Sequence, residues 1–163
     1  MKSRLQIAGH PIHVMVVAMP IGLYSASLVC DFLYLALRDP FWFRMAYWAI
    51  AFGLVTHLAA IATGVPDFLA ILQEQKDAKR TAMSHLVFGI SLLVVQGLNL
   101  GLRNGGELPA TGVAMPVIVN LIGAALTGLQ GWYGGELVYR HRVGIEPEPG
   151  LEATGRAGGK KHH

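Results

Sequence analysis

Charge is scarce in this sequence of 163 residues. Only 14% of the residues are charged, whereas a soluble domain carries about 25%. The 13 basic and 10 acidic side chains avoid four stretches, 14–37, 45–65, 82–102 and 108–135, which together hold 94 residues and one charge, Asp31. A soluble enzyme is excluded, because the residues outside these stretches are short connections and a tail, too small to enclose a second core.

Cysteine is nearly absent as well. The single residue, Cys30, excludes a disulfide framework. The formal net charge of +3 does not indicate nucleic acid as a partner, since the basic residues flank apolar stretches, where membrane topology explains them first. We expect no cleaved signal, because the first apolar run is longer than a signal peptide's hydrophobic region.

The four apolar stretches predict membrane-spanning helices. Each reaches the ~20 residues that a helix needs to cross a bilayer, and none alternates as a transmembrane strand would. The prediction is an all-α, integral membrane four-helix bundle with antiparallel neighbours, since the connections are short. It comprises a four-span domain at 1–145, with spans at about 14–37, 45–65, 82–102 and 110–135. A disordered tail at 146–163 is expected from its nearly apolar-free composition.

Basic residues are unevenly placed around these spans. With four spans, both termini and the second connection share one side, which carries ten basic residues against three on the other. The positive-inside rule then predicts both termini in the cytoplasm of a bacterial inner membrane. The ten residues are Lys2, Arg4, Lys76, Lys79, Arg80, Arg140, Arg142, Arg156, Lys160 and Lys161.

Six titratable side chains from separate segments are predicted to collect at this cytoplasmic face. They are His10, His13, Asp67, His85, Glu136 and His141. Imidazoles and carboxylates on facing helices are how bundles build metal and cofactor sites. Interfacial decoration is the competing interpretation, with Asp67 a solvated acid and Glu136 a partner of Arg140 four residues on.

Each polar residue inside a span requires an explanation of its own, because a polar side chain in the hydrocarbon region is energetically costly. His57 lies near the middle of the second span, and Gln96, Asn99 and Asn120 are expected to hydrogen-bond with it and with one another, which would fasten the helices. A proton path, an ion path or cofactor contact remains open for His57. Asp31 is expected to cap the outer end of the bundle or to meet Arg103, with a relay role in transport as the alternative.

Two segments carry a family resemblance. Residues 9–13 (Gly-His-Pro-Ile-His) with 20–23 (Pro-Ile-Gly-Leu), and 134–140 (Gly-Gly-Glu-Leu-Val-Tyr-Arg) with 143–144 (Val-Gly), resemble the two ends of a bacterial membrane family of unknown function (DUF 2231). The similarity covers about residues 9–145, and His85 corresponds to a histidine expected at the start of the third span. The resemblance implies a four-span membrane domain without an established activity. Relatives that look like fusions to a Rieske-type iron–sulfur domain imply electron transfer and haem.

The leading functional prediction is a binding module, not an enzyme, that holds a transition metal or b-type haem at the cytoplasmic face in an electron-transfer assembly. His13 and His85 form the best-placed axial pair for haem, and their side chains are predicted to meet, with His10 or Glu136 next to them. A bare metal would instead recruit three or four ligands from His10, His13, His85, Glu136 and His141. The expected partners are the lipid bilayer and a redox or iron–sulfur protein. Alternatives are a small ion or proton permease, and a structural scaffold.

Overall fold

Four long helices make up most of the chain. A computed structural model describes residues 2–145, with α1 at Ile12–Leu37, α2 at Pro40–Glu74, α3 at Lys79–Leu102 and α4 at Ala114–Tyr139. The best 18-residue windows of these helices have mean hydropathies from 1.4 to 1.8, sufficient for membrane spans. The predicted all-α bundle is confirmed. The tail predicted at 146–163 lies outside the described residues.

The N-terminal segment described before α1, residues 2–11, is not helical. A short antiparallel pair, β1 at Gln6–Ile7 and β2 at His10–Pro11, precedes α1. Its turn has positive φ at Ala8 and Gly9, a backbone conformation that glycine adopts readily. His10 is therefore not on the same helix face as His13.

The second helix extends well past the span predicted at 45–65. The Asp39 carboxylate caps its start by accepting from the Phe41 amide at 2.9 Å, and Pro40 occupies the first turn, both favourable at a helix N-terminus. At the other end, α2 runs through Pro66 to Glu74. Asp67 thus lies inside a helix, not in a connection.

The bundle is built from two helical hairpins. α1 packs extensively against α2, and α3 against α4, whereas the hairpins meet each other more sparingly through α2 with α3 and α1 with α4. α1 and α3 are therefore diagonal. We call the end where α1 and α3 begin the histidine end, and the end where they finish the arginine end, after His13 and Arg103.

Apolar side chains cover the outside of the bundle. Val55 on α2 and Leu98 on α3 are 65% and 62% exposed, as expected for helix faces in contact with lipid tails. Polar side chains instead lie inside, and include Asp31, His57, Gln96, Asn99 and Asn120. Because these polar side chains face inward, the bundle interior is the candidate location of a functional site.

Candidate functional site

Two histidines meet across the bundle at the histidine end. His13 is the second residue of α1 and His85 lies in the second turn of α3. Their ring centroids are 6.3 Å apart, with the ring planes almost perpendicular at 88°. The predicted approach of these two side chains is present, although their helices are diagonal. Their role as ligands remains a prediction.

Backbone carbonyls of the neighbouring helices fix the orientation of both rings. His13 Nδ1 lies 2.9 Å from the Ala60 carbonyl oxygen on α2, and His85 Nδ1 lies 3.0 Å from the Gln130 carbonyl oxygen on α4. A carbonyl oxygen only accepts, so in each neutral ring Nδ1 carries the proton and Nε2 keeps its lone pair. Such a bond to Nδ1 is the usual support of a metal-ligating histidine.

Two glycines make room for these rings. A Cβ on Gly64 would lie 2.8 Å from His13 Cε1, and a Cβ on Gly134 would lie 3.2 Å from His85 Cε1. Both distances are shorter than ordinary van der Waals contact, so a larger residue at either position would displace the ring beside it. Each hairpin thus supplies one histidine and, on its second helix, the glycine that the ring packs against.

A cavity of about 590 Å³ lies beside the two rings and is lined by all four helices. Its walls are mostly apolar, from aliphatic residues and from glycines of α2, α3 and α4. The polar lining includes His13, His57, Asp67, His85 and Gln130. A largely apolar cavity with a few convergent polar groups is the usual form of a cofactor or ligand site.

His57 faces this cavity from deeper in the bundle. Its side chain is buried, with 2% of the residue exposed, and its Nδ1 lies 3.3 Å from the Tyr24 hydroxyl. Its Nε2 is buried without a hydrogen-bond partner in the described part of the chain. Contrary to the prediction, the amides at 96, 99 and 120 do not reach His57.

The other predicted ligands do not join His13 and His85. His10 is exposed and bonds the Ala8 carbonyl, while His141 Nε2 lies 3.1 Å from the Thr81 hydroxyl. Glu136 pairs with Arg140 at 3.7 Å. Across residues 2–145, no three histidine, cysteine, aspartate or glutamate side chains are placed to share a metal. The expected site with three or four protein ligands is therefore not assembled, because these side chains have separate local partners.

Asp67 binds the N-terminal segment through hydrogen bonds. Its carboxylate accepts from the Ser3 hydroxyl at 2.7 Å and from the Arg4 amide at 2.5 Å. Arg4 also pairs with Glu74, the last residue of α2. The interpretation of Asp67 as a solvated acid is wrong, since these bonds bury it and hold the segment before β1 against α2.

Asp31 forms a closed ion pair at the arginine end. Arg103 donates to both Asp31 oxygens, at 2.8 and 2.6 Å, and its Nε donates to Asn99 at 3.1 Å. Both charged side chains are 0% exposed. The expectation that Asp31 meets Arg103 is confirmed. Asp31 is therefore not a free carboxylate.

Amides extend this network toward the centre of the bundle. Asn99 donates to Gln96, which donates to Asn120, and Asn120 donates to both Asp31 and Ser27. These side chains are all buried. The predicted fastening of the helices by Gln96, Asn99 and Asn120 is present and joins α1, α3 and α4.

Several residues of the site were not singled out from the sequence. Tyr24 looks like an ordinary aromatic residue of a span, although its spacing to Ser27 and Asp31 places all three on one face of α1. Gln130 contributes a main-chain oxygen, for which sequence gives no signal. The contact of Gly64 with the His13 ring depends on the tertiary structure and leaves no signal in the sequence.

Comparison with known proteins gives one match. A family model described as "predicted membrane protein (DUF2231)" matches residues 9–147. No curated protein and no solved structure matches the chain. The match spans His13, His85 and the whole cavity.

Proposed function

The chain belongs to the DUF2231 family of predicted membrane proteins, and we propose that it binds one b-type haem between His13 and His85 as an electron-transfer module of a bacterial inner membrane. The observation that carries the proposal is the pair of Nδ1–carbonyl bonds, at 2.9 and 3.0 Å. They leave two Nε2 lone pairs beside one apolar cavity. Two such nitrogens are what the axial positions of a haem iron require.

The separation of the rings supports this assignment. Two imidazoles on opposite sides of one metal, with metal–nitrogen bonds of ~2 Å and ring centres about 1 Å behind the nitrogens, have centroids about 6 Å apart. The centroids of His13 and His85 are 6.3 Å apart. The centroid separation of His13 and His85 therefore matches the spacing that two histidines holding one iron would have.

The number of protein ligands favours haem over a bare metal ion. Zinc and similar ions usually take four ligands in tetrahedral sites, and the described residues provide no group of three. Haem brings four equatorial nitrogens and needs only two from the protein. The apolar walls of the cavity suit the hydrophobic macrocycle, which a hydrated ion would not require.

A bound haem would supply a one-electron couple. The chain's own contribution would be to hold the haem through His13 and His85, whose rings are oriented by the Ala60 and Gln130 carbonyl oxygens. The cavity lining from all four helices is mostly apolar, which would limit the access of water to a bound haem. A haem held by two histidines would supply electron transfer rather than oxygen binding, and a redox or iron–sulfur protein is the expected partner.

The test is the haem content of protein purified from haem-replete cells. We expect a Soret band that shifts on reduction, and one haem per chain. His13→Ala and His85→Ala should each reduce the bound haem at least tenfold, whereas the matched control His10→Ala should retain it, since His10 is exposed and bonds locally. Absence of a Soret band, or a band that survives both His13→Ala and His85→Ala, would refute the proposal. Stoichiometric zinc without haem would also refute it.

A further inference from the structure

His57 Nε2 is the unexplained polar atom of the cavity. It is buried and unpaired within residues 2–145. An unmade hydrogen bond at a buried nitrogen is costly, and the apolar interior around it makes the cost larger. A phenylalanine would fill the same space without this penalty. The nitrogen therefore calls for a partner that enters from outside the chain.

Tyr24 determines whether this nitrogen donates or accepts. The Tyr24 side chain is buried, and the partner of its hydroxyl is His57 Nδ1, at 3.3 Å. A buried hydroxyl donates where an acceptor is in reach, so Tyr24 donates to Nδ1. In a neutral ring the proton then lies on Nε2. His57 presents an N–H donor to the cavity, in contrast to the Nε2 lone pairs of His13 and His85.

The side-chain amide of Gln130 is a second N–H donor close to His57 Nε2. Both nitrogens lie over Gly89 of α3, which has no side chain to separate them. A Cβ on Gly89 would lie 2.7 Å from Gln130 Nε2 and 3.9 Å from His57 Nε2, so the two nitrogens are less than about 7 Å apart. Gly89 lies one helical turn beyond His85 on α3 and faces α2 and α4, which carry His57 and Gln130. The result is a small polar subsite with two N–H donors, deeper than the histidine pair.

We infer that this subsite binds the ring carbonyl of a quinone, a lipid-soluble redox carrier. Two N–H donors require an acceptor, and the apolar surroundings favour a neutral carbonyl over a carboxylate, whose burial would be far more costly. The inference rests on the proposed function only in choosing a redox carrier among neutral carbonyl compounds.

The outer boundary of the cavity supports a lipid-soluble ligand. Val14, Leu69 and Ile90 line the cavity and are also 43 to 52% exposed on the lipid-facing surface. The cavity therefore reaches the hydrocarbon side of the bundle, where the two hairpins pack sparingly. At the arginine end, the buried network around Asp31 and Arg103 closes the interior. A ligand with an apolar tail can enter from the bilayer and leave its tail there.

The experiment is a calorimetric titration of the detergent-solubilised protein with decylubiquinone, corrected for its partition into empty micelles. We expect saturable binding with one site per chain. The double variant Tyr24→Phe with His57→Phe removes the His57 N–H donor together with the hydroxyl that orients it, and keeps an aromatic ring at both positions. It should weaken decylubiquinone binding at least tenfold. The control His10→Phe makes the same chemical change at an exposed position outside the cavity, and should leave the Kd unchanged. An absence of saturable binding, or an unchanged Kd in the double variant, would overturn the inference.

Two further readouts separate ligand binding from a structural role and from the haem proposal. The double variant should unfold at the same or a higher denaturant concentration, because it removes a buried unpaired group; a clear loss of stability would assign the pair to structure. Gly89→Val fills the subsite from the opposite wall and should also weaken binding. If the protein lacks haem yet loses decylubiquinone binding in the double variant, the quinone site stands and the haem proposal fails. If the protein contains haem and the double variant binds decylubiquinone with an unchanged Kd, the haem proposal stands and the quinone site fails.

Discussion

The buried pair of Asp31 and Arg103 gives the sharpest prediction about stability. Arg103→Leu removes the two bonds to Asp31 and the bond to Asn99, but Asp31 keeps a donor from Asn120 at 2.6 Å and can take up a proton. We expect this variant to lose about 3 kcal/mol, the lower part of the range for a broken buried pair. Asp31→Leu should lose more, about 4–5 kcal/mol, because the guanidinium cannot lose its proton.

The double variant tests the reason for these losses. With both charges replaced by leucine, no buried charge is left uncompensated, and we expect the double variant to lie within about 2 kcal/mol of the wild type. The measurement is unfolding in mixed micelles, followed by far-ultraviolet circular dichroism. Arg44→Leu, an exposed arginine at the same end, serves as the control and should change stability by less than about 0.5 kcal/mol. Single losses that simply add in the double variant would refute the reasoning, since they would show that the two charges do not compensate each other.

Two further predictions concern orientation and the histidine pair. A reporter fused after Tyr139 should be cytoplasmic and one inserted near Gly105 should be outside, because ten basic residues flank one side against three on the other; reporters on the same side would contradict a four-span topology. Gly64→Ala places a methyl group 2.8 Å from His13 Cε1 and should reduce haem content at least fivefold, measured as haem per chain. Gly22→Ala, on an open face of α1 with nothing within 4 Å, should not change it, and equal losses in both variants would argue against a packed ring at Gly64.

The spans were predictable because their signal is local and continuous. The first three helices contain the predicted spans in full, and α4 begins at Ala114, four residues after the predicted start at 110. Polar side chains such as Gln96 and Asn99 lie inside the bundle, because exposing them to lipid would be costly. Helix ends were less predictable. The turn at Ala8 and Gly9 and the continuation of α2 through Pro66 depend on contacts with distant segments, such as the bonds of Asp67 to Ser3 and Arg4.

The sequence predicts at which end of the bundle the candidate site lies, but not which side chains meet there. His13 and His85 both lie within the first two turns of helices that run in the same direction, so topology alone predicts that they lie near the same end of the bundle. Topology does not say where a side chain points. His141 has the same approximate depth, yet it pairs with Thr81. Sequence also gave no reason to link Tyr24 with His57, since their contact joins two helices through a single hydroxyl.

The two ends of the bundle differ in how completely their polar groups are paired, and this difference separates structure from function. Around Asp31 and Arg103, the buried polar side chains of α1, α3 and α4 satisfy one another, so the network needs nothing further to be stable. At the histidine end, by contrast, the hydrogen-bonded Nδ1 atoms of His13, His57 and His85 orient Nε2 atoms for which no partner is described. In hydrocarbon, a fold that needed only stability would place apolar side chains at those three positions. Retaining three oriented imidazoles along one apolar cavity is therefore better explained by ligands that complete them than by packing.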